Sequence, residues 1–362
     1  MPHDLHSSEA DEGLALLIDK LCRTRSLSLG EYERLIAQRT PGTARELASR
    51  ADAVRRQVYG TKVFTRGLIE VSSFCKNDCL YCGIRRSNAT ARRYRLSADE
   101  IVKCADTGYD LGFRTFVLQG GEDPFFADDV LCGIIGRIRA AHPDCAVTLS
   151  FGERSRKSYE RLHEAGAERY LLRHETASPA LYRRWHPPEM LLENRMRCLS
   201  DLREIGYAVG AGFMVGAPLQ TAADLACDLQ FIEQFQPEMC GIGPFVPHHA
   251  TPFSAFAPGT AELTCYLLSI IRLIKPNVLL PATTALGTIV PDGRERGILA
   301  GANVVMPNLS PVAHRKDYDL YDNKICTGEE AAECRGCLGA RMLSIGYELV
   351  VDRGDMAPLP ET

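Results

Sequence analysis

Two hydrophobic periodicities divide the chain near residue 62. Before this point, apolar residues recur every three or four positions, as in Leu14–Leu21, which is the spacing of one face of a helix. After it, short β-branched apolar runs alternate with amphipathic stretches. We therefore predict an N-terminal helical extension over 1–62, a β/α core over 63–308 and a less regular C-terminal extension over 309–362.

The core contains eight runs with the length and composition of buried strands. They are Phe64–Ser72, Thr115–Gln119, Ala146–Ser150, Tyr170–Arg173, Val209–Val215, Met239–Phe245, Val278–Ala282 and Asn303–Met306. Helical stretches separate them, and Ser97–Glu100 has the capping-box pattern that begins a helix. Eight β/α alternations predict a parallel (β/α)8 barrel of the TIM type. An open doubly wound sheet, which needs fewer strands, is the alternative.

Composition narrows the class of protein. The chain has 362 residues, of which 45% are hydrophobic and 24% charged, and its net charge of −4 gives no basic field for a nucleic acid. No apolar run reaches the ~18 residues of a membrane span. The polar, acidic start lacks the pattern of a signal peptide. We therefore expect a cytoplasmic protein that binds neither nucleic acid nor membrane.

Three cysteines follow the first predicted strand directly, at Cys75, Cys79 and Cys82 in the segment CKNDCLYC. Three thiolates can hold a [4Fe–4S] cluster in which one iron has no protein ligand. An open metal position can bind a chelating substrate or cofactor. Zinc is the alternative, but a structural zinc site needs a fourth ligand, and the next histidine along the chain is His142.

Polar residues also stand at the ends of other predicted strands, and in a barrel these ends meet on one face. They are Gln119 at the end of the second strand with Gly121 and Glu122 after it, Thr148 and Ser150 on the third, Arg173 at the end of the fourth with Glu175 after it, Met214 on the fifth, Thr283 and Thr284 after the seventh, and Met306 on the eighth. A charged pair such as Arg173 and Glu175 is costly to bury without a ligand, although a structural salt bridge is the alternative. Arg195 is either a clamp for a carboxylate or an exposed helix arginine.

Several strings in this core resemble the HydE family of [FeFe]-hydrogenase maturases, which are radical S-adenosylmethionine (SAM) enzymes with a biotin-synthase-like barrel. The similar strings are LIEVSSFCKNDCLYCGIRR, RYLLRHETASP, GAGFMVGAP, GIGPFVPH, PATTALGTIVP and GANVVMPN, and the resemblance extends over roughly residues 63–340. PHHATP stands where PHPDTP is more usual. The resemblance implies a complete barrel around a closed cavity, a [4Fe–4S] cluster on the three cysteines, and reductive cleavage of SAM to a 5′-deoxyadenosyl radical.

The resemblance also implies roles for individual positions. We expect contacts to SAM from Tyr81, Gln119, Gly121, Glu122, Ser150, Glu175, Arg195 and Met214. We expect contacts to the substrate from Arg66, Thr148, Arg173, Thr283, Thr284, Met306, Tyr318 and Tyr321. Arg66 fits this role physically, because an unpaired arginine inside a barrel favours an anionic ligand.

The implied substrate is a small organometallic compound, a cysteine-bound Fe(CO)2(CN) complex supplied by the partner maturase HydG. The implied product is a diiron precursor of the hydrogenase active-site cluster (the H-cluster), passed to the scaffold HydF. The radical is expected to attack the sulfur of the bound cysteine.

A second cysteine group, Cys326, Cys334 and Cys337, lies in the C-terminal extension. It resembles the auxiliary iron–sulfur site of many family members, a [2Fe–2S] or [4Fe–4S] cluster that other members lack. Zinc is a more serious alternative here than at the first site. His314 is one candidate for a fourth ligand.

Two further hypotheses come from other classes. The chain could be another barrel radical SAM enzyme, of the biotin synthase or methylornithine synthase type. Biotin synthases need a second cluster inside the barrel, and Cys145 and Cys240 alone do not supply its ligands. It could also be a non-catalytic iron–sulfur scaffold, and turnover of SAM separates this hypothesis from both enzymes.

Overall fold

The computed structural model describes residues 3–328 and 331–359. The helices in these ranges are α1 (His3–Thr24), α2 (Leu29–Ala37), α3 (Pro41–Tyr59), α4 (Ala98–Asp110), α5 (Asp128–Ala141), α6 (Arg156–Glu164), α7 (Pro179–Trp185), α8 (Leu192–Ile205), α9 (Ala222–Phe235), α10 (Ala261–Ile274), α11 (Thr284–Ile289), α12 (Gly293–Leu299), α13 (Val312–Arg315) and α14 (Ala331–Ser344). The strands are β1 (Lys62–Thr65), β2 (Gly67–Ser72), β3 (Thr115–Gly120), β4 (Ala146–Ser150), β5 (Arg169–Leu171), β6 (Ala208–Ala211), β7 (Met214–Val215), β8 (Met239–Cys240), β9 (Gly243–Pro244), β10 (Val304–Val305) and β11 (Glu348–Val350). None of the helices described combines the length and the apolar character needed to cross a bilayer.

The parallel strands close into a ring. β2, β3, β4, β5, β6 and β8 are hydrogen-bonded neighbours in one sheet. Single bridges from Met239 to Leu279 and from Pro281 to Val304 carry the ring through the segment 278–282 to β10, which pairs with β1. Because β1 and β2 are consecutive parts of the first predicted strand, the ring is complete. The predicted (β/α)8 barrel is confirmed, and the open-sheet alternative is wrong.

Two predicted strands are interrupted. Val209–Val215 is divided into β6 and β7, and Met239–Phe245 is divided into β8 and β9. The breaks face each other, because a Cβ atom on Gly212 would lie 2.0 Å from the carbonyl oxygen of Gly241. Gly212 also has φ +153°, which side chains rarely adopt. The short pair β7–β9 therefore continues beyond the main sheet on the side where the strands end.

Alternation along β2 decides which side chains point toward the barrel interior. Ile69 and Val71 are fully buried in the apolar layer between the strands and helices such as α4 and α5. Since successive strand residues point to opposite faces, Glu70 and Ser72 point inward. Because the strands are parallel, the polar residues at their carboxyl ends lie together at one opening of the barrel.

The segment before the barrel is helical, as the periodicity predicts. Capping boxes at Ser28 and Thr40 begin α2 and α3. These helices pack on α9 and α10, outside the barrel. Tyr32 donates a hydrogen bond of 2.5 Å to Glu233 on α9, and the Tyr266 hydroxyl donates one of 2.8 Å to the Leu35 carbonyl.

The segment after residue 308 is more regular than the sequence suggests. It contains the short helix α13, the longer helix α14, and β11, which pairs in parallel with β1. Beyond β11, the Arg353 carbonyl accepts a hydrogen bond of 2.6 Å from Thr115, and Asp355 pairs with Arg169 at 2.5 Å. This tail covers the end of the barrel at which the strands begin.

Candidate functional site

The carboxyl ends of the strands surround a cavity of about 320 Å³. The predicted site residues that line it are Cys75, Cys79, Tyr81, Cys82, Gln119, Gly121, Glu122, Ser150, Arg173, Glu175, Arg195, Met214, Thr283, Tyr318 and Tyr321. Arg66, Thr148 and Met306 line a smaller cavity of about 30 Å³, deeper in the barrel. Leu171 borders both cavities.

The cysteine loop lies between β2 and α4 and is fastened to three other parts of the chain. The backbone nitrogens of Lys76, Leu80 and Gly83 each donate a hydrogen bond of 2.9 Å, to the carbonyls of Glu122, Trp185 and Leu320. Two glycines allow these close approaches. A Cβ atom on Gly121 would lie 2.2 Å from the Phe74 carbonyl oxygen, and one on Gly83 would lie 2.1 Å from that of Asp319.

The three thiols of this loop suit a multi-iron cluster better than a single zinc ion. A zinc ion with Zn–S distances near 2.3 Å holds its thiolates about 4 Å apart. Among the described residues, the three thiols are not a set within 4.8 Å of one another. Burial, together with the neighbouring Cys75, raises the pKa of Cys82 to about 12. A thiolate in this apolar position therefore needs a positive charge, which bound iron supplies.

A chain of polar contacts leads from Glu122 to Arg195. Glu122 Oε1 accepts a hydrogen bond of 3.1 Å from the Glu153 backbone nitrogen, and Glu153 Oε1 accepts one of 2.6 Å from Arg195 Nε. Gly152 is needed between them, because it has φ +69° and a Cβ atom there would lie 2.1 Å from Glu122 Oε1. Gly152 and Glu153 are not among the residues predicted from the sequence, although only Phe151 separates them from the third predicted strand.

Arg195 is not an exposed helix arginine. Only 7% of its surface is exposed, and Nη1 donates a hydrogen bond of 2.7 Å to the Arg173 carbonyl. Burial alone would lower the pKa of Arg195, but the Tyr182 hydroxyl and the Glu153 carboxylate hold it well above its ordinary value. Arg195 is therefore a fixed cation on the wall of the cavity.

Arg173 and Glu175 form a close but incompletely satisfied pair. Arg173 Nη2 lies 3.1 Å from Glu175 Oε2. Within the described part of the chain, Arg173 Nε and Nη2 and Glu175 Oε2 nevertheless have no hydrogen-bond partner. Buried charged groups ordinarily have such partners, so this geometry favours a ligand over a self-sufficient structural salt bridge.

Tyr81 is oriented by a residue that the sequence analysis did not identify. His186 Nδ1 lies 2.9 Å from the Tyr182 carbonyl, which can only accept, so this nitrogen carries the proton. His186 Nε2 is then the acceptor for the Tyr81 hydroxyl, at 3.1 Å. Burial lowers the pKa of His186 to about 3, which keeps the ring neutral. No pattern in the sequence connects two residues 105 positions apart.

The deeper cavity contains an arginine that forms no ion pair with any residue that the structure describes. Arg66 is 5% exposed, and its Nε and Nη2 atoms have no hydrogen-bond partner among the described residues. Its Nη1 lies 2.7 Å from Met239 Sδ. Burial and the nearby Arg169 lower the pKa of Arg66 to about 9, so it is still charged at neutral pH. Among the same described residues, the hydroxyl of Thr148 also has no hydrogen-bond partner.

The segment 317–324 covers the opening of the larger cavity. Its Tyr318 hydroxyl accepts a hydrogen bond of 3.3 Å from Gln119 Nε2, and its Lys324 pairs with the buried Glu70. Two aspartates of the segment contact histidines, with Asp319 lying 3.1 Å from His248 Nε2 and Asp322 lying 2.7 Å from His249 Nδ1. Neither the Glu70–Lys324 pair nor these two histidines were among the residues predicted from the sequence.

The two histidines and Asp322 bring three potential metal ligands within 4.8 Å of one another. The Ala250 backbone nitrogen, however, donates a hydrogen bond of 3.1 Å to His248 Nδ1. The His248 proton is therefore on Nε2, the nitrogen that faces the aspartates, and that nitrogen is a donor to Asp319. This group fastens the covering segment and is not arranged to bind a metal.

The C-terminal cysteines line a separate cavity of about 500 Å³, together with Glu333 and Arg341. Arg294 lies between this cavity and the barrel, with Nη2 3.5 Å from Cys326 Sγ and 3.4 Å from Thr284 Oγ1. Thr284 is absent from the lining of both barrel cavities. His314 is not brought to the thiols, because its ring stacks on Tyr94 at 4.7 Å.

Comparison with known proteins agrees with this geometry. Residues 69–232 match the Radical SAM superfamily. The chain is 46% identical over 312 residues to the [FeFe] hydrogenase maturase subunit HydE of Thermotoga maritima, which covers 86% of this chain and 89% of that protein. It is 26% identical over 308 residues to the 3-methylornithine synthase of Methanosarcina barkeri, covering 85% of this chain and 87% of that protein.

The crystal structure of methylornithine synthase has the same fold, with a TM-score of 0.80 and 24% sequence identity over 92% of this chain and 97% of that one. Membership of the radical SAM superfamily implies a [4Fe–4S] cluster and SAM as cofactors. The identity to HydE is much higher than that to methylornithine synthase over a similar share of the chain. The chain therefore belongs to the HydE family of [FeFe] hydrogenase maturases and is a radical SAM enzyme, as its sequence motifs predict.

Proposed function

We propose that this enzyme uses the 5′-deoxyadenosyl radical to act on a cysteine-bound Fe(CO)2(CN) complex during assembly of the diiron subcluster of the H-cluster. The observation that carries this proposal is the buried Arg66 together with the half-buried Arg173, each of which has guanidinium nitrogens without a hydrogen-bond partner among the described residues. Unpaired buried charge is costly, so the barrel interior favours an anionic or strongly dipolar ligand. A cysteine carboxylate or a cyanide ligand has that character.

The contacts described above support the cofactor side of this proposal. Cys75, Cys79 and Cys82 would hold the cluster. Once an external one-electron donor has reduced it, the cluster would supply the electron that cleaves SAM to methionine and the 5′-deoxyadenosyl radical. Gly121 and Glu122 receive the SAM ammonium group. The residues that complete this side are Tyr81, Gln119, Ser150, Glu175, Arg195 and Met214.

Arg195 is suited to the carboxylate of SAM, because Glu153 and the Arg173 carbonyl fix the direction of its guanidinium group. Tyr81, fixed by His186, and Met214 supply apolar surface for the adenine ring. The covering segment excludes water from this space, which protects a reactive intermediate from side reactions.

The residues on the substrate side that line the two cavities are Arg66, Thr148, Arg173, Thr283, Met306, Tyr318 and Tyr321. Thr284 belongs to the same proposal, although it lines neither cavity. Arg66 and Arg173 attract the anionic groups, and the hydroxyls offer hydrogen bonds to carbonyl or cyanide ligands. Burial and the nearby Glu70 hold the pKa of Tyr318 well above its ordinary value, so its hydroxyl keeps its proton.

The partners and the second metal site belong to the same proposal. HydG supplies the substrate and HydF receives the product, within hydrogenase maturation. Cys326, Cys334 and Cys337 bind an auxiliary iron–sulfur cluster, [2Fe–2S] or [4Fe–4S]. The cavity between α12 and α14 that contains the three thiols supports this assignment.

An anaerobic assay tests the function. The reconstituted protein is given dithionite and SAM, and 5′-deoxyadenosine is quantified beside a Cys79→Ala control, first without and then with the cysteine-bound iron complex. We expect nucleoside only with Cys79 intact and a new paramagnetic iron species when the complex is present. Cleavage of SAM with no response to the complex would contradict the substrate, and no cleavage by a reduced, fully loaded cluster would contradict the enzyme.

A further inference from the structure

The turn that carries Arg173 and Glu175 has an unusual backbone. Glu175 has φ +65°, in the left-handed region that residues with side chains rarely adopt. Its backbone nitrogen donates a hydrogen bond of 3.0 Å to the Gly212 carbonyl, and its carbonyl accepts one of 3.1 Å from the Met214 nitrogen. A strained conformation of this kind persists only where surrounding contacts enforce it.

His174, between these two residues, points away from the cavity and is fully buried. The Gly212 backbone nitrogen donates a hydrogen bond of 3.3 Å to His174 Nδ1, so the ring proton is on Nε2. That nitrogen lies 3.2 Å from Oδ1 of Asp228, which comes from α9 outside the barrel. The rings of Phe213 and Phe231 surround the imidazole.

Asp228 holds the turn at a second point. Its Oδ1 also accepts a hydrogen bond of 2.5 Å from the Ala177 backbone nitrogen, two residues after Glu175. The Asp228 side chain is itself fully buried, and its Oδ2 has no hydrogen-bond partner within the described part of the chain. One carboxylate oxygen thus connects α9 to both sides of Glu175.

We propose that Asp228, acting through His174 and the Ala177 nitrogen, is a positioning residue that fixes the Arg173–Glu175 turn and thereby sets the affinity of the site for SAM and substrate. This inference rests on the proposed ligand roles of Arg173 and Glu175. Asp228 touches neither ligand, because it lies behind the turn on the helix side of the barrel wall. Asp228 fixes the position of the turn through one oxygen, Oδ1, which contacts both His174 Nε2 and the Ala177 nitrogen.

This geometry distinguishes two substitutions at one position. Asp228→Asn keeps a carbonyl oxygen for both donors and places its amide nitrogen where Oδ2 has no partner. Asp228→Ala removes the oxygen and leaves two buried donors unsatisfied. If the role is positioning, asparagine preserves ligand affinity and alanine loses it. If the negative charge matters instead, both variants fail equally.

Asp224 provides the control on the same helix. It forms the capping box of α9, accepting a hydrogen bond of 2.9 Å from the Thr221 nitrogen. Asp224→Ala weakens α9 and the contact of Asp224 with Ser178, but it removes no hydrogen bond to His174 or to the Ala177 nitrogen. A purely structural role for Asp228 predicts that Asp228→Ala and Asp224→Ala have similar ligand affinities once both are folded and loaded with cluster.

The test is SAM affinity of the cluster-loaded protein, measured by equilibrium dialysis and by the change that SAM causes in the electron paramagnetic resonance of the reduced cluster. We expect Asp228→Ala to weaken SAM binding at least about fivefold, the scale of one lost buried hydrogen bond, while Asp228→Asn and Asp224→Ala stay within about twofold of wild type. Should Asp228→Ala fail to fold, His174→Leu, which fits between the two phenylalanines, replaces it with the same expected loss.

Two outcomes overturn the inference: Asp228→Ala or His174→Leu binding SAM as tightly as Asp224→Ala, and Asp228→Asn binding as weakly as Asp228→Ala. Failure of the proposed function has a different signature. Glu175→Gln is measured in parallel, and unchanged SAM binding by that variant removes the ligand role on which the inference depends.

Discussion

Lys324 Nζ lies 2.6 Å from Glu70 Oε1, and the two side chains are only 9% and 2% exposed. The pair joins the strand that leads into the cysteine loop to the segment that covers the cavity. Lys324 Nζ also donates a hydrogen bond of 2.9 Å to the Tyr318 carbonyl, and Asn308 donates one of 2.8 Å to Glu70 Oε2. The covering segment 317–324 is therefore held to the barrel by a buried ion pair as well as by packing.

Removing one member of this pair leaves a buried charge without its partner. We expect Lys324→Met or Glu70→Gln alone to lower the free energy of unfolding by about 3–5 kcal/mol. The double variant, which buries no charge, should recover much of this loss. Denaturant unfolding of the four proteins measures the coupling, and additive losses in the double variant would contradict it.

Gly152→Ala should weaken SAM binding without altering any polar group. The new Cβ atom would lie 2.1 Å from Glu122 Oε1 and would displace that carboxylate. We expect roughly tenfold lower affinity for SAM, equivalent to about 1.4 kcal/mol. Gly136→Ala in α5 is the matched control, because nothing lies within 4 Å of its Cβ position. Equal SAM affinity in the two variants would contradict the role of Glu122.

Arg66→Met should stabilise the ligand-free protein and impair its function. The substitution removes a buried charge whose Nε and Nη2 atoms have no hydrogen-bond partner among the described residues, and we expect a gain of about 1–4 kcal/mol. Binding of the anionic substrate should be lost. Arg272→Met is the control, because Arg272 is equally buried but donates hydrogen bonds of 2.7–2.8 Å to carbonyls of Gly301, Pro276 and Val278. That variant should be less stable than wild type, so opposite shifts in melting temperature are the expected result.

Cys334→Ala separates the two cysteine groups. We expect iron content to fall by the amount held at the C-terminal site, while the rate of SAM cleavage stays close to wild type. The reason is that Cys334 and the cysteine loop line separate cavities. Complete loss of cleavage in a folded variant with its first cluster loaded would show that the C-terminal site takes part in radical formation.

His186 should make the protein less stable in mild acid. Its pKa in the folded state is lowered to about 3 by burial, whereas in the unfolded chain it is near 6.5. The unfolded chain therefore binds the extra proton as the pH falls below about 6.5, and stability decreases by up to about 1.4 kcal/mol per pH unit for this group. His186→Gln keeps an acceptor for Tyr81 and should flatten the dependence of melting temperature on pH between 6.5 and 4.5. An unchanged slope would refute the buried neutral histidine.

The barrel can be predicted from the sequence because each strand is recognisable from the composition of its own segment. Runs such as Ala146–Ser150 are apolar and β-branched, and Ser97 begins a helix with the predicted capping box, which the structure contains. The cysteine loop is also local in sequence. The interruption at Gly212 was missed because its cause, the Gly241 carbonyl, comes from another strand.

The rest of the site depends on contacts between distant positions. Glu70 and Lys324 are 254 positions apart, and Tyr81 and His186 are 105 apart. A single buried glutamate or histidine has no periodicity and no spacing rule, so only the closed barrel reveals its partner. Glu153 is the exception, because its place after the third strand could have been recognised by the rule that identified Arg173 and Glu175.

The pairing of β1 has a consequence for how the chain is made. Both neighbours of this strand, β10 and β11, lie beyond residue 303, whereas β1 itself begins at Lys62. A ribosome therefore releases the first strand long before either neighbour exists, and its hydrogen-bonding edges remain open during most of synthesis. Contacts of such long sequence separation also form slowly. During that interval the nascent barrel is open at the end that the C-terminal tail later covers, and the growing chain is most vulnerable to edge-to-edge aggregation.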